Sequence, residues 1–146
     1  MMSAGQKQRL PGGTEKILVV DDEDSIRKLI HRLLCELGYT VVAVPTPEAA
    51  IGRFAADPAY FDLVITDMST LEVSKGRLNS VISAMRPEIP ILLHTGGIPP
   101  DDANGLIRRV IQKPASRLDL ARALRGVLDS AETPVSDNTP RMALSE

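Results

Sequence analysis

The chain has 146 residues, of which 43% are hydrophobic and 25% charged, the balance of one soluble globular domain and too short for a catalytic domain plus a separate effector. Its formal net charge of -2 gives no general attraction to nucleic acid phosphates or to an anionic membrane surface, so neither is expected as a partner. Cys35 is the only cysteine, which rules out an internal disulfide, and no run of about 18 apolar residues is present to span a bilayer.

Residues 1–15 include Ser3, Gly5, Gln6, Gln8, Pro11, Gly12 and Gly13 without periodicity and are expected to form a loose, disordered arm. Met1 to Gly13 lack the apolar core of a secretory signal, which leads to the expectation of a cytoplasmic protein. Ile17-Leu18-Val19-Val20, stopped by two aspartates, predicts a first strand buried on both faces. From Asp24, read as an N-cap, Ile26, Leu29, Ile30, Leu33, Leu34 and Leu37 recur at helical spacing, and Gly38 stands where such a helix ends. Val41 to Val44 predicts the second strand. Thr46-Pro47 opens a helix with proline at its first position; Ala49, Ala50 and Phe54 form its inner face, and Asp57-Pro58 ends it. Phe61 to Thr66 predicts the third strand, Gly76 to Met85 a helix, Ile89 to His94 the fourth strand, Arg109 to Gln112 the fifth, and Ser116 to Leu128 a terminal helix. Residues 131–146, rich in Thr, Ser, Pro and Asn, are expected to be a disordered tail, which leaves 16–130 as the folded domain.

Strands that alternate with helices through short connections pair in parallel with right-handed crossovers, which places helices on both faces of an open sheet. The expected class is therefore α/β, doubly wound and five-stranded. Between the fourth and fifth strands, Pro99-Pro100 followed by Asp101, Asp102 and Gly105 leaves room for barely one turn, so the fourth helix is expected to be reduced.

In an open parallel sheet, ligands bind beyond the carboxyl ends of the strands. The first strand ends in Asp21-Asp22, the third in Asp67, the fourth in Thr95-Gly96 and the fifth in Lys113-Pro114, all at one edge. Two like charges ~4 Å apart repel by about 4 kcal/mol at an effective dielectric of ~20, so three aspartates gathered there need cations. Lys113 supplies one positive charge, and a divalent ion would supply the rest; an oxygen-only donor set completed by water and phosphate is the preference of Mg2+. Taken singly, paired aspartates serve equally as a strand end and a helix cap, and Thr-Gly as a turn. Their joint order at four strand ends is what indicates a site. Cys35 is read as a packing or surface residue with no histidine beside it, and His94 as packing.

Four stretches carry a family resemblance: Lys16-Ile17-Leu18-Val19-Val20-Asp21-Asp22-Glu23, Phe61 through Asp67-Met68, Ile91-Leu92-Leu93-His94-Thr95-Gly96, and Lys113-Pro114. They resemble the receiver domains of bacterial two-component response regulators over about Lys16 to Ser130, and are similar to single-domain regulators and to receivers of hybrid histidine kinases. The resemblance implies a flavodoxin-like sheet of strand order 2-1-3-4-5. It implies that Asp67 is the phosphoacceptor, taking its phosphoryl group from a histidine kinase or histidine phosphotransfer protein. Asp21, Asp22 and Asp67, with the backbone carbonyl of Ser69, would hold Mg2+. Lys113 would pair with one phosphoryl oxygen and Thr95 would hydrogen-bond another, with Lys113-Pro114 in the cis form. Such a chain is a stoichiometric acceptor with self-catalysed phosphorylation and dephosphorylation at most, not a turnover enzyme. It would signal through protein contacts, because no helix-turn-helix or enzyme segment follows Ala131.

The chain also departs from the family pattern. Where receivers carry a proline and a glycine after the phosphoacceptor, it has Thr70 to Lys75, with Gly76 one position later, and Val110 replaces the aromatic switch residue. These losses support an alternative, a degenerate pseudo-receiver acting as a phosphorylation-independent binding module; the complete set of Asp21, Asp22, Asp67, Thr95 and Lys113 argues against it. A haloacid-dehalogenase-like phosphatase ranks last, since it needs a second aspartate two residues after Asp67, where Ser69 stands.

Overall fold

The computed structural model describes residues 10–67, 69–70, 76–97 and 106–132, with side chains to residue 130. Residues 1–9 of the expected arm, 71–75 of the atypical loop, 98–105 with the reduced fourth helix, and 133–146 of the expected tail lie outside the described residues.

Five parallel strands form one sheet in the order β2-β1-β3-β4-β5, as expected for a flavodoxin-like fold. The central strands β1 (Lys16–Val20), β3 (Leu63–Asp67) and β4 (Ile91–Thr95) are buried on both faces except at Lys16. Their unbroken runs of Ile, Leu and Val suit that position, because helices cover both sides of the sheet. The edge strands β2 (Thr40–Val44) and β5 (Ile107–Gln112) are more open.

The helices end where local chemistry stops them. Helix α1 (Asp24–Glu36) closes on Gly38 at φ 103°, with Tyr39 N–H on Leu34 O at 3.1 Å and Gly38 N–H on Cys35 O at 3.0 Å. This paired closure needs a left-handed residue, which glycine adopts without a Cβ clash. Helix α2 (Pro47–Ala56) starts at Thr46, whose hydroxyl accepts the Ala49 N–H at 3.1 Å, with proline in the first turn as expected. Helix α3 (Arg77–Met85) begins after Gly76 at φ 79°, and α4 (Arg117–Glu132) closes the described chain.

The helices pack in two layers. Ile30 and Leu34 of α1 and Leu120, Leu124 and Val127 of α4 cover Ile17, Leu63, Ile65 and Leu92. On the other face, Ala50 and Phe54 of α2 and Leu78 and Ile82 of α3 cover Leu18, Val64 and Ile91. Each fully buried side chain of this kind contributes roughly 1.5–3 kcal/mol relative to exposure, so the sheet is a rigid base for whatever its edges carry. Among the described residues, no helix is long and apolar enough to cross a membrane.

Four expectations need correction. Glu23, not Asp24, is the N-cap of α1, and it makes no side-chain cap bond. Residues 10–15 are not a loose arm: Gly13 N–H bonds Leu37 O at 3.2 Å, and Arg125 grips Gly12 O at 3.2 Å and Glu15 through two 2.9 Å bonds. Composition hid this docking because its partner residues lie 110 and 113 positions away. The first two residues of the expected tail, 131 and 132, belong to α4, which runs to Glu132. β5 likewise starts at Ile107 rather than Arg109.

Candidate functional site

Parallel register brings the carboxyl ends of the strands to one edge. Asp21 directly follows β1, its N–H bonded to Val44 O at 3.1 Å; Asp67 ends β3 and Thr95 ends β4. Just past β5, Lys113 donates its N–H to Thr95 O at 2.8 Å, and the Lys113-Pro114 bond is cis. Carboxylate oxygens of Asp21, Asp22 and Asp67 all lie within 4.8 Å of one another, and Lys113 Nζ is 3.8 Å from Asp21 Oδ2. Asp21, Asp67 and Thr95 are buried, while Asp22 is exposed. The structure thus gathers the three aspartates and the ammonium singled out in the sequence, with Thr95 beside them on β4.

Donors on the surrounding backbone fix the carboxylates. Glu23 N–H reaches Asp21 Oδ1 at 2.9 Å, and Thr70 N–H reaches Asp67 Oδ1 at 3.1 Å. The Ser69 hydroxyl lies 3.0 Å from Asp22 Oδ1 and 3.1 Å from Asp67 Oδ2, so its single proton bridges the two acids in turn. Arg27 of α1 donates to the Asp21 carbonyl at 2.9 Å while paired with Asp24. The Thr95 hydroxyl accepts the Gly97 N–H at 3.1 Å, which leaves its own proton available to an acceptor in the cleft.

Burial pushes the Asp21 carboxyl above its ordinary value, and the Asp67 and Asp22 charges add to the rise; Glu23 N–H and the Lys113 ammonium oppose it. One ammonium beside three clustered acids leaves negative charge in excess. The donor set is oxygen throughout, buried at two positions and open at Asp22, which fits a hard divalent cation that keeps water ligands.

Two neighbours of Asp67 were not singled out by their chemistry in the sequence. Thr70, whose N–H holds Asp67, is buried, and its Oγ1 finds no hydrogen-bond partner among the described residues. His94 is the Cα partner of Asp67 across the β3–β4 ladder, and its buried Nε2 is likewise unpartnered. Burial and then the Lys113 charge lower its pKa to about 4 against the opposing pull of Asp67, so the ring is neutral at neutral pH. Its place beside the acids was hidden because adjacency across a sheet depends on register, although its position one residue before Thr95 was a usable signal. The remaining pair corrects an expectation: His31 does stand beside Cys35, with Nδ1 3.8 Å from Sγ, one turn along the exposed face of α1.

A 2-1-3-4-5 parallel sheet whose carboxyl edge holds a cation-ready acidic pocket defines a signalling domain of the receiver class. The chain matches the response regulator receiver domain family over residues 17–125 and belongs to that family. It is similar to the probable transcriptional regulator ycf27 of Cyanophora paradoxa, 32% identical over 133 residues, which cover 86% of this chain and 53% of that protein. The chain spans about half the length of the ycf27 relatives it matches. Among solved structures, a response regulator receiver domain protein from Clostridium thermocellum superimposes with a TM-score of 0.72 at 27% identity, covering 80% of this chain and 95% of that one. The response regulator TrrA of Thermotoga maritima, solved in complex with Mg2+ and BeF, does so with a TM-score of 0.69 at 26% identity, covering 78% and 99%.

Proposed function

We propose that this receiver domain accepts a phosphoryl group on Asp67 from a phosphohistidine of a histidine kinase or phosphotransfer protein. An Asp67 carboxylate oxygen attacks phosphorus, the phosphorus–nitrogen bond of the donor breaks, and the imidazole leaves with the bonding pair. Asp21, Asp22 and Asp67 would hold Mg2+, with the Ser69 carbonyl as a further ligand. When bound, the ion neutralises charge on the transferring oxygens, where positioning and electrostatics supply nearly all the catalysis. Lys113 takes one phosphoryl oxygen and the Thr95 hydroxyl another. The domain is then a stoichiometric acceptor that signals through contacts with a downstream protein; since its relatives are about twice as long, an output segment elsewhere in a longer protein fits the same scheme.

The observation that carries this reading is the convergence of three carboxylates within 4.8 Å beside a lysine ammonium, at the edge where this fold binds ligands. The binding-module alternative gains no support from it, because a module indifferent to phosphate has no use for the repulsion it carries. The test is incubation with a small-molecule phosphodonor and Mg2+, read by intact mass. Wild type gains one phosphoryl group and Asp67→Asn gains none; equal labelling of the two removes Asp67 from its role.

A further inference from the structure

The neighbour of the phosphoacceptor across the sheet has no part in the scheme above. His94 pairs in register with Asp67, and because strand side chains alternate, both lie on the face that Ile65 and Leu92 present to the layer of α1 and α4. The imidazole is 3% exposed, yet its Nε2 finds no hydrogen-bond partner among the described residues. Apart from Thr66 and the site residues Asp67 and Thr95, the buried positions of the central strands are Ile, Leu and Val, and leucine would fill this position without an orphaned nitrogen. A buried polar atom left unsatisfied weighs against the folded state by roughly tenfold to a hundredfold, so it calls for an explanation. Thr70 repeats the pattern on the chain that leaves Asp67, with a buried hydroxyl oxygen also lacking a partner.

We propose that His94 is a phosphoryl-binding residue: its Nε2, without a partner among the described residues, carries the ring proton and donates it to an oxygen of the phosphoryl group that Asp67 carries. This rests on the phosphorylation of Asp67 proposed above. A phosphoryl group brings three strong acceptor oxygens with more lone pairs than Lys113, Thr95 and a bound divalent cation would fill. The neutral ring contributes one donor without adding a charge that would lock onto the free Asp67 carboxylate. Because Nε2 is sealed from solvent, the contact forms when the carboxyl end of β4 shifts toward Asp67, and Thr95, the next residue, moves in the same step. His94 thereby couples occupancy of Asp67 to the position of β4.

The probe is beryllofluoride with Mg2+, a stand-in for the phosphoryl group, added to the whole chain labelled uniformly with 15N, so that backbone amides and both histidine rings are read together. The chain has two histidines, and His31 on exposed α1 is the internal control. The expected result is a shifted His94 ring resonance with its N–H protected from exchange, an unmoved His31, and neither change in Asp67→Asn. His94→Leu should be at least as stable as wild type without ligand, and should bind beryllofluoride at least tenfold more weakly, the loss of one hydrogen bond to a charged acceptor. If the backbone amides of Asp67 and Thr95 respond while the His94 ring does not, or if His94→Leu binds within twofold of wild type, the proposal is overturned and phosphorylation of Asp67 stands. If neither the amides nor the ring of wild type respond, the phosphoacceptor reading fails and this inference with it. Should His94→Leu not fold, the wild-type ring resonance still decides.

Discussion

Replacing Asp67 by asparagine should make the metal-free domain more stable, although it removes the residue on which the proposed function depends. Asp21 and Asp67 are both buried, with oxygens no more than 4.8 Å apart, so their repulsion is about 3.5 kcal/mol at an effective dielectric of ~20. Asp22 adds less, because it is exposed and screened by solvent. Against this gain stands the weakening of two bonds, from the Ser69 hydroxyl and the Thr70 N–H, which an asparagine oxygen still accepts without the charge. The net expectation is a stabilisation of about 1–3 kcal/mol, or roughly 3–10 °C in Tm for a domain of this size. Thermal and urea unfolding in chelator would measure it. Repeating the measurement in Mg2+ should raise wild type far more than the variant, because only wild type retains all three carboxylates. An Asp67→Asn protein that is less stable than wild type in chelator, or that gains as much from Mg2+, would refute the charge-repulsion argument.

Four further outcomes follow from the contacts. Arg125→Met should cost about 1–3 kcal/mol in urea unfolding, since it removes bonds to Glu15, Asp129 and the Gly12 carbonyl that tie residues 10–15 to α4. The same pair sets an acid limit: Arg125 holds the Glu15 carboxyl below its ordinary 4.5, so its stabilisation is complete above that value and is lost as pH falls through the lowered one. Glu15→Gln should lower stability by a constant amount at neutral pH and converge on wild type as pH falls through the lowered value, flattening that part of the curve; a variant with the wild-type acid dependence would contradict the assignment. Gly38→Ala should destabilise by about 1–3 kcal/mol, because φ is 103° there and an added Cβ would sit 2.6 Å from Gly13 O. Thr46→Ala should cost about 1 kcal/mol, the usual loss on removing an N-cap, as read by chemical denaturation.

The fold was legible because its determinants are local. The unbroken apolar runs at Ile17 to Val20 and Ile91 to Leu93 encode strands covered on both faces, Thr46-Pro47 encodes a capped helix start, and Gly38 encodes a helix end. The gathering of Asp21, Asp22, Asp67 and Lys113 was legible for a related reason. Once the strands are parallel, every carboxyl end must lie at one edge, so residues that terminate strands meet whatever their separation along the chain.

What escaped depends on partners that no local pattern names. Residues 10–15 have the composition of a free arm, and the long reach of Arg125 to Glu15 and Gly12, with the Gly13 N–H on Leu37 O, holds them down. Histidine at the end of an apolar run reads as packing until register places it opposite Asp67. Both cases mark the same boundary. Periodicity reports which face a side chain occupies, but whether a polar atom on that face is satisfied depends on atoms contributed by other elements. His94 is buried like its neighbours, and what sets it apart is a ring nitrogen without a hydrogen-bond partner among the described residues, which is why the structure, and not the pattern, brings it into the argument.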